Sequence, residues 1–140
     1  MVRSRGATDP NFETGELLSV VPIVQSIEVA GKRLMIACLE CYEDGVYLVY
    51  QTPPWDFATN PLPEAHHTFA MRDDRGNQYH FRGSGGGGDS RRMRMEARFS
   101  PGIAPDARQL AIEVSAVNLR QAASRQDRGP SATERLVVDL

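Results

Sequence analysis

The sequence predicts an all-β domain, an antiparallel β-sandwich with Greek-key connections, and three observations carry that expectation. Met93, Met95, Ala97 and Phe99 alternate with Arg92, Arg94, Glu96 and Arg98, the pattern of a strand with one buried and one wet face. The same two-residue alternation recurs along the chain between clusters of turn residues. No long stretch carries the 3.6-residue period of an amphipathic helix.

Taken in order, residues 17–30 form one strand or two, with Ile23, Ile27 and Val29 on one face and Pro22 marking an edge or bend. Ala30, Gly31 and Lys32 make a tight turn into an apolar strand over 33–42. Glu43, Asp44 and Gly45 then return the chain as a strand over 46–51, with glycine supplying the freedom a hairpin needs. Residues 52–64 contain Pro53, Pro54, Pro61 and Pro63, so a long irregular connection is expected there. A second hairpin joins 65–72 to 77–82 around Asp73, Asp74, Arg75 and Gly76, with Tyr79 and Phe81 facing inward. Residues 83–90 are glycine-rich and read as a flexible connector, and 91–99 follows as a strand. Pro101, Gly102 and Pro105 reverse the chain before Leu110, Ile112, Val114 and Ala116 alternate in a further strand. Residues 119–131 read as a surface loop in which 119–125 could wind one helical turn, and 135–140 as a last strand. About seven to nine short strands at this spacing suit an immunoglobulin-like, Greek-key sandwich, with a closed β-barrel as the alternative.

Size and charge narrow the function classes. A chain of 140 residues forms one domain with a core large enough to need no disulfide or metal. Residues 1–16 read as a flexible arm and 17–140 as the single folded domain. A net charge of −2 gives no overall attraction to nucleic acid or anionic membrane. The apolar run 17–24 is short and broken by Ser19 and Pro22, so it is neither a signal-peptide core nor a membrane span. The expectation is a cytoplasmic protein, although a trimmed exported domain carries the same pattern.

The order of motifs resembles that of small bacterial immunoglobulin-like domains of unknown function. The likeness rests on Gly31-x-Arg33 leading into an apolar strand, on Tyr42-Glu43-Asp44-Gly45, on Asp73-Asp74-Arg75-Gly76-Asn77-Gln78-Tyr79, and on Phe99-Ser100-Pro101 after a glycine-rich stretch. It covers roughly residues 24–117 and implies a fold without implying an activity. The disulfide and buried tryptophan of antibody domains are missing, since Trp55 falls in the proline-rich connection.

Catalytic and metal motifs find little support. Cys38 and Cys41 have redox or zinc spacing, but they fall on a strand, point to opposite faces and have no second cysteine pair. They read as packing residues. His66 and His67 are adjacent and face opposite ways, while pairing of their hairpin would bring His67 near Arg82 and His80 near Phe69. Asp73 and Asp74 supply only part of a calcium loop. The glycine run lacks the lysine and helix of a phosphate cradle, and no nucleophile elbow occurs. The chain is therefore read as a non-enzyme without metal or cofactor. A metal-dependent barrel enzyme using His66 or His67 with His80 is the enzyme-class alternative.

Two surfaces remain as binding candidates. Arg92, Arg94 and Arg98 share a strand face, but Glu96 stands where nucleic-acid binding would want an aromatic ring. Trp55 and Phe57 put two aromatic side chains in a connection, as carbohydrate-binding modules do. The leading expectation is a binding or assembly module that contacts a protein partner, or a second copy, through a sheet edge or the Trp55 segment. The edges expected for this are 91–99 and 135–140. A carbohydrate or small-ligand module is the second reading.

Overall fold

The alternating segments become strands, and the chain reversals between them set which strands meet. The computed structural model describes residues 15–29, 32–52, 65–88, 91–118 and 132–140. Among these are eight strands: β1 (Leu17–Val29), β2 (Lys32–Tyr42), β3 (Gly45–Thr52), β4 (Ala65–Asp73), β5 (Gln78–Gly88), β6 (Met93–Ser100), β7 (Gln109–Asn118) and β8 (Ala132–Asp139). They pair antiparallel throughout, in a single sheet of order β1-β2-β3-β6-β5-β4-β7-β8. The two end strands, β1 and β8, lie against each other without a hydrogen-bonded ladder among the described residues, so the sheet is a nearly closed barrel. Within it, β4, β5 and β6 are successive neighbours and β3 lies beside β6, which is a Greek key. The two detached sheets of a sandwich are here joined through β5. That strand pairs with β4 only at Met71–Tyr79 and Arg72–Gln78, then follows β6 from His80 to Gly88. No helix among the described residues is long and apolar enough to cross a membrane.

Alternation fills the interior. Leu34 and Ile36 on β2, Val46, Leu48 and Tyr50 on β3, and Ala97 and Phe99 on β6 form one wall of the core. Phe69 and Met71 on β4, Leu110, Ile112 and Val114 on β7, and Leu136 and Val138 on β8 form the other. The walls meet where the Tyr50 and Phe69 rings sit 4.9 Å apart, centroid to centroid. On β2 the inward parity changes, because a bulge between Ile36 and Cys38 lets both Ile36 and Leu39 face the core. On β1, a register break between Pro22 and Gln25 contains Val24 at φ 48°, and Val21, Ile23 and Ile27 still pack on the core.

Several expectations change once β5 leaves β4. The glycine run is strand rather than connector: Gly83 to Gly88 pair residue by residue with Arg98 to Met93, after a register break between Phe81 and Gly83. Phe81 packs edge-on against Phe99 at 5.7 Å but is 42 % exposed, because β4 no longer covers it, whereas Tyr79 is buried. His67 pairs with Ala116 rather than lying near Arg82, and His80 pairs with Ser100 rather than Phe69. The segment expected to be an edge at 91–99 is instead central, since β6 is flanked by β3 and β5. The edge expected at 135–140 is β8, a terminal strand of the order.

Candidate functional site

A densely hydrogen-bonded polar group among the described residues is structural. Asp73, at the end of β4, is buried and accepts four hydrogen bonds. The backbone N–H groups of Arg75 and Asn77 donate to its Oδ1, each at 2.9 Å. Asn77 Nδ2 donates to Oδ2 at 2.8 Å, and the Tyr79 hydroxyl donates to the same oxygen at 2.7 Å. The Tyr79 oxygen in turn accepts the Ala104 N–H at 3.1 Å, tying the 101–108 segment to the hairpin. Burial by itself would raise the Asp73 pKa, but the donors from Tyr79, Asn77 and Arg75 outweigh it and hold the carboxylate at about 2. Burial, reinforced by Asp73, pushes the Tyr79 phenol up to about 12. The turn glycine, Gly76, sits at φ +88°, which its lack of Cβ allows. Asp74 accepts backbone N–H groups of Arg108 at 2.9 Å and Gln109 at 3.3 Å, which lower its pKa. Of the two carboxylates that hinted at a calcium loop, Asp73 thus braces the hairpin internally and Asp74 fastens it to the start of β7. Among the described residues, no three His, Cys, Asp or Glu side chains are placed to hold a metal ion.

The cysteines separate as a strand requires. Cys41 is buried on the core side and Cys38 is half-buried on the outer face, and both are free thiols. Burial raises the pKa of each. At Cys38, Glu40 adds to the rise and Arg94 opposes it; at Cys41 a Ser19 hydrogen bond opposes it. A thiol held above its ordinary pKa is a poor nucleophile. At pH 7, a maleimide is therefore expected to label Cys41 only in denaturant, and Cys38 slowly in the folded protein, as read by mass spectrometry.

The arginines define an outer face. Arg94, Glu96 and Arg98 project outward from β6, opposite Gln51, Val49 and Tyr47 of β3 and opposite Gly87, Gly85 and Gly83 of β5. Arg92 precedes the strand and is exposed. Because β5 has no side chains there, the Arg98 guanidinium reaches across it, and a Cβ on Gly83 would lie 3.6 Å from one terminal nitrogen. Trp55 and Phe57 lie outside the described residues, as do 119–131.

Sequence reasoning named 135–140 as an edge but missed the β1 side of the seam between β1 and β8. Leu17, Leu18, Val20 and Val24 of β1 are 48 %, 66 %, 52 % and 72 % exposed. Val137 and Leu140, on and just beyond β8, add 54 % and 38 %. β1 begins, and β8 ends, at the same end of the barrel, so this apolar surface straddles the seam. A long exposed apolar edge is normally blunted by charge, yet residues 17–27 contain no ionisable side chain. That charge-free run is visible in the sequence, where Pro22 also marks an edge or bend, but alternation alone does not show that its outer face stays uncovered.

A second opening lies at the β4–β5 divergence. A cavity of about 330 Å³ opens there, with Phe69, Tyr79 and Phe81 in its wall and Arg72, His80 and Glu113 around it.

Comparison with known proteins adds the fold alone. No protein-family model and no curated protein matches the chain. Among solved structures, it is similar to "the crystal structure of the conserved domain protein from Bacillus anthracis", with a TM-score of 0.55 and 17 % identity. The match covers 87 % of this chain and 47 % of that one, so this chain spans about half the length of its structural neighbour.

Proposed function

We propose that the domain is a non-enzymatic assembly module in which two copies bury the β1–β8 seam against each other. The exposure of Leu17, Leu18, Val20 and Val24 on a strand with no charge over residues 17–27 carries this reading. Apolar surface of this kind on a soluble domain marks a contact site. A two-fold arrangement places the same patch on both partners, and its β1 part, free of ionisable side chains over residues 17–27, brings no like charges together. Pro22 and the adjacent register break interrupt β1, so side-chain burial rather than a long shared ladder supplies the contact.

Sedimentation velocity over a wide concentration range tests the reading. The expected result is a reversible dimer that Leu18→Glu and Val20→Glu convert to monomer. Both positions are exposed, so the folded stability of the variants should move by no more than about 0.5 kcal/mol. A protein that stays monomeric at the highest concentration, or a dimer indifferent to both substitutions, would sink the proposal.

A further inference from the structure

The fork between β4 and β5 is a separate feature from the seam. Every residue of β4, from Ala65 to Asp73, pairs with β7, but only Met71 and Arg72 pair with β5. Above that point, the β4 edge over residues 65–70 and the β5 edge over 80–88 have no partner strand among the described residues. The far half of β5 is open as a result. Residues 84–88 are exposed whichever way they point, and Phe81 is exposed although its partner Phe99 is buried. Unpaired main-chain groups along an open strand are a template for another strand.

The charge around β5 selects what that strand should carry. Arg72, Arg82, Arg94 and Arg98 surround it, opposed by Glu96 and Glu113. Arg82, on β5 itself, donates from Nε to Ser100 Oγ at the end of β6 at 2.6 Å, and the Arg98 guanidinium lies over Gly83. The glycines leave these guanidinium groups uncovered, and the cavity beside Phe69 and Phe81 has room for an apolar side chain. We propose that the β4–β5 fork binds an extended acidic peptide from a partner protein, paired antiparallel with residues 80–88 of β5. Main-chain hydrogen bonds would fix its register. Alternate carboxylates would meet the arginines, and an apolar residue would enter the cavity.

Fluorescence anisotropy with the full chain tests this, using a labelled peptide of alternating glutamate and valine. Its lysine–valine counterpart and a backbone N-methylated glutamate–valine version serve as controls. Saturable binding of the first peptide is expected, weakened about tenfold or more by Arg82→Glu or Arg94→Glu and by each control change. Two exposed positions are used so that misfolding of one variant, checked by circular dichroism, leaves the other to decide. Leu18→Glu, which addresses the seam, should leave peptide binding unchanged. Equal binding of the N-methylated peptide would show attraction by charge without strand pairing and overturn the proposal. So would an equally tight oligothymidylate, which would make the surface a general polyanion site, or the absence of any binding.

Discussion

Replacing Asp73 by alanine is expected to lower the stability of the domain by about 3 kcal/mol, the range for breaking a buried, charge-assisted hydrogen-bond network. For a domain of this size that is a fall in midpoint on the order of 10 °C. The substitution strands two backbone N–H groups, the Asn77 amide and the Tyr79 hydroxyl, and it loosens the Ala104 link that depends on that hydroxyl. Tyr79→Phe should show a smaller loss, and the double variant should lose less than the sum, because the two groups share one bond. The network also predicts an acid limit. The folded carboxylate titrates at about 2, below its ordinary 3.8, so its contribution is complete above the ordinary value and disappears as pH falls toward 2. Urea midpoints measured from pH 5 to pH 2 should drop steeply for the native chain. They should drop less for Asp73→Asn, which starts lower. Parallel curves would show that this carboxylate does not set the acid response.

The glycine strand supplies the second large effect, through a contrast between neighbours. A Cβ on Gly86 would press on the Arg94 carbonyl and lie 2.8 Å from the Met95 Cα, so β6 backbone would have to move. A Cβ on Gly87 would meet nothing within 4 Å. Gly86→Ala is therefore expected to cost about 1–3 kcal/mol through overpacking. Gly87→Ala should be neutral or stabilising by up to about 1 kcal/mol, since it restricts the unfolded chain without strain. Equilibrium denaturation of the two variants decides it. Equal effects would mean that β5 does not lie this tightly on β6.

Those two sites also show what was legible in the sequence. Alternation such as Met93, Met95, Ala97 and Phe99 reports which face is buried, and the all-β class and the strands followed from it. The hairpin turns at Glu43–Asp44 and Asp74–Gly76 were equally local and equally readable. Strand order was not local. The change of partner by β5 after Tyr79 depends on contacts far apart in the chain, and it alone explains the exposure of Phe81 and the failed pairing of His67 with Arg82. The glycine run misled because composition reports flexibility in a free chain, while close approach to β6 demands the same residue in a folded one. At the seam, Leu18 and Val20 have the opposite parity to Ile23 and Ile27, but that their face stays uncovered follows only from the place of β1 at the end of the strand order. The arginine pattern gave the right outer face of β6 but the wrong position in the sheet.

The placement of β3 beside β6 bears on how the molecule is made. On a ribosome, β1, β2 and β3 emerge together and can zip locally, since few residues separate each from the next in sequence. The partner for the other side of β3 begins only at Met93, after the chain has passed through β4 and β5. At ordinary rates of synthesis that delay is on the order of seconds. Throughout it the apolar face of β3, with Val46, Leu48 and Tyr50, stands beside an unpaired edge. The nascent chain is most open to mispairing in that interval, and slowing translation after Thr52 should increase the aggregated fraction.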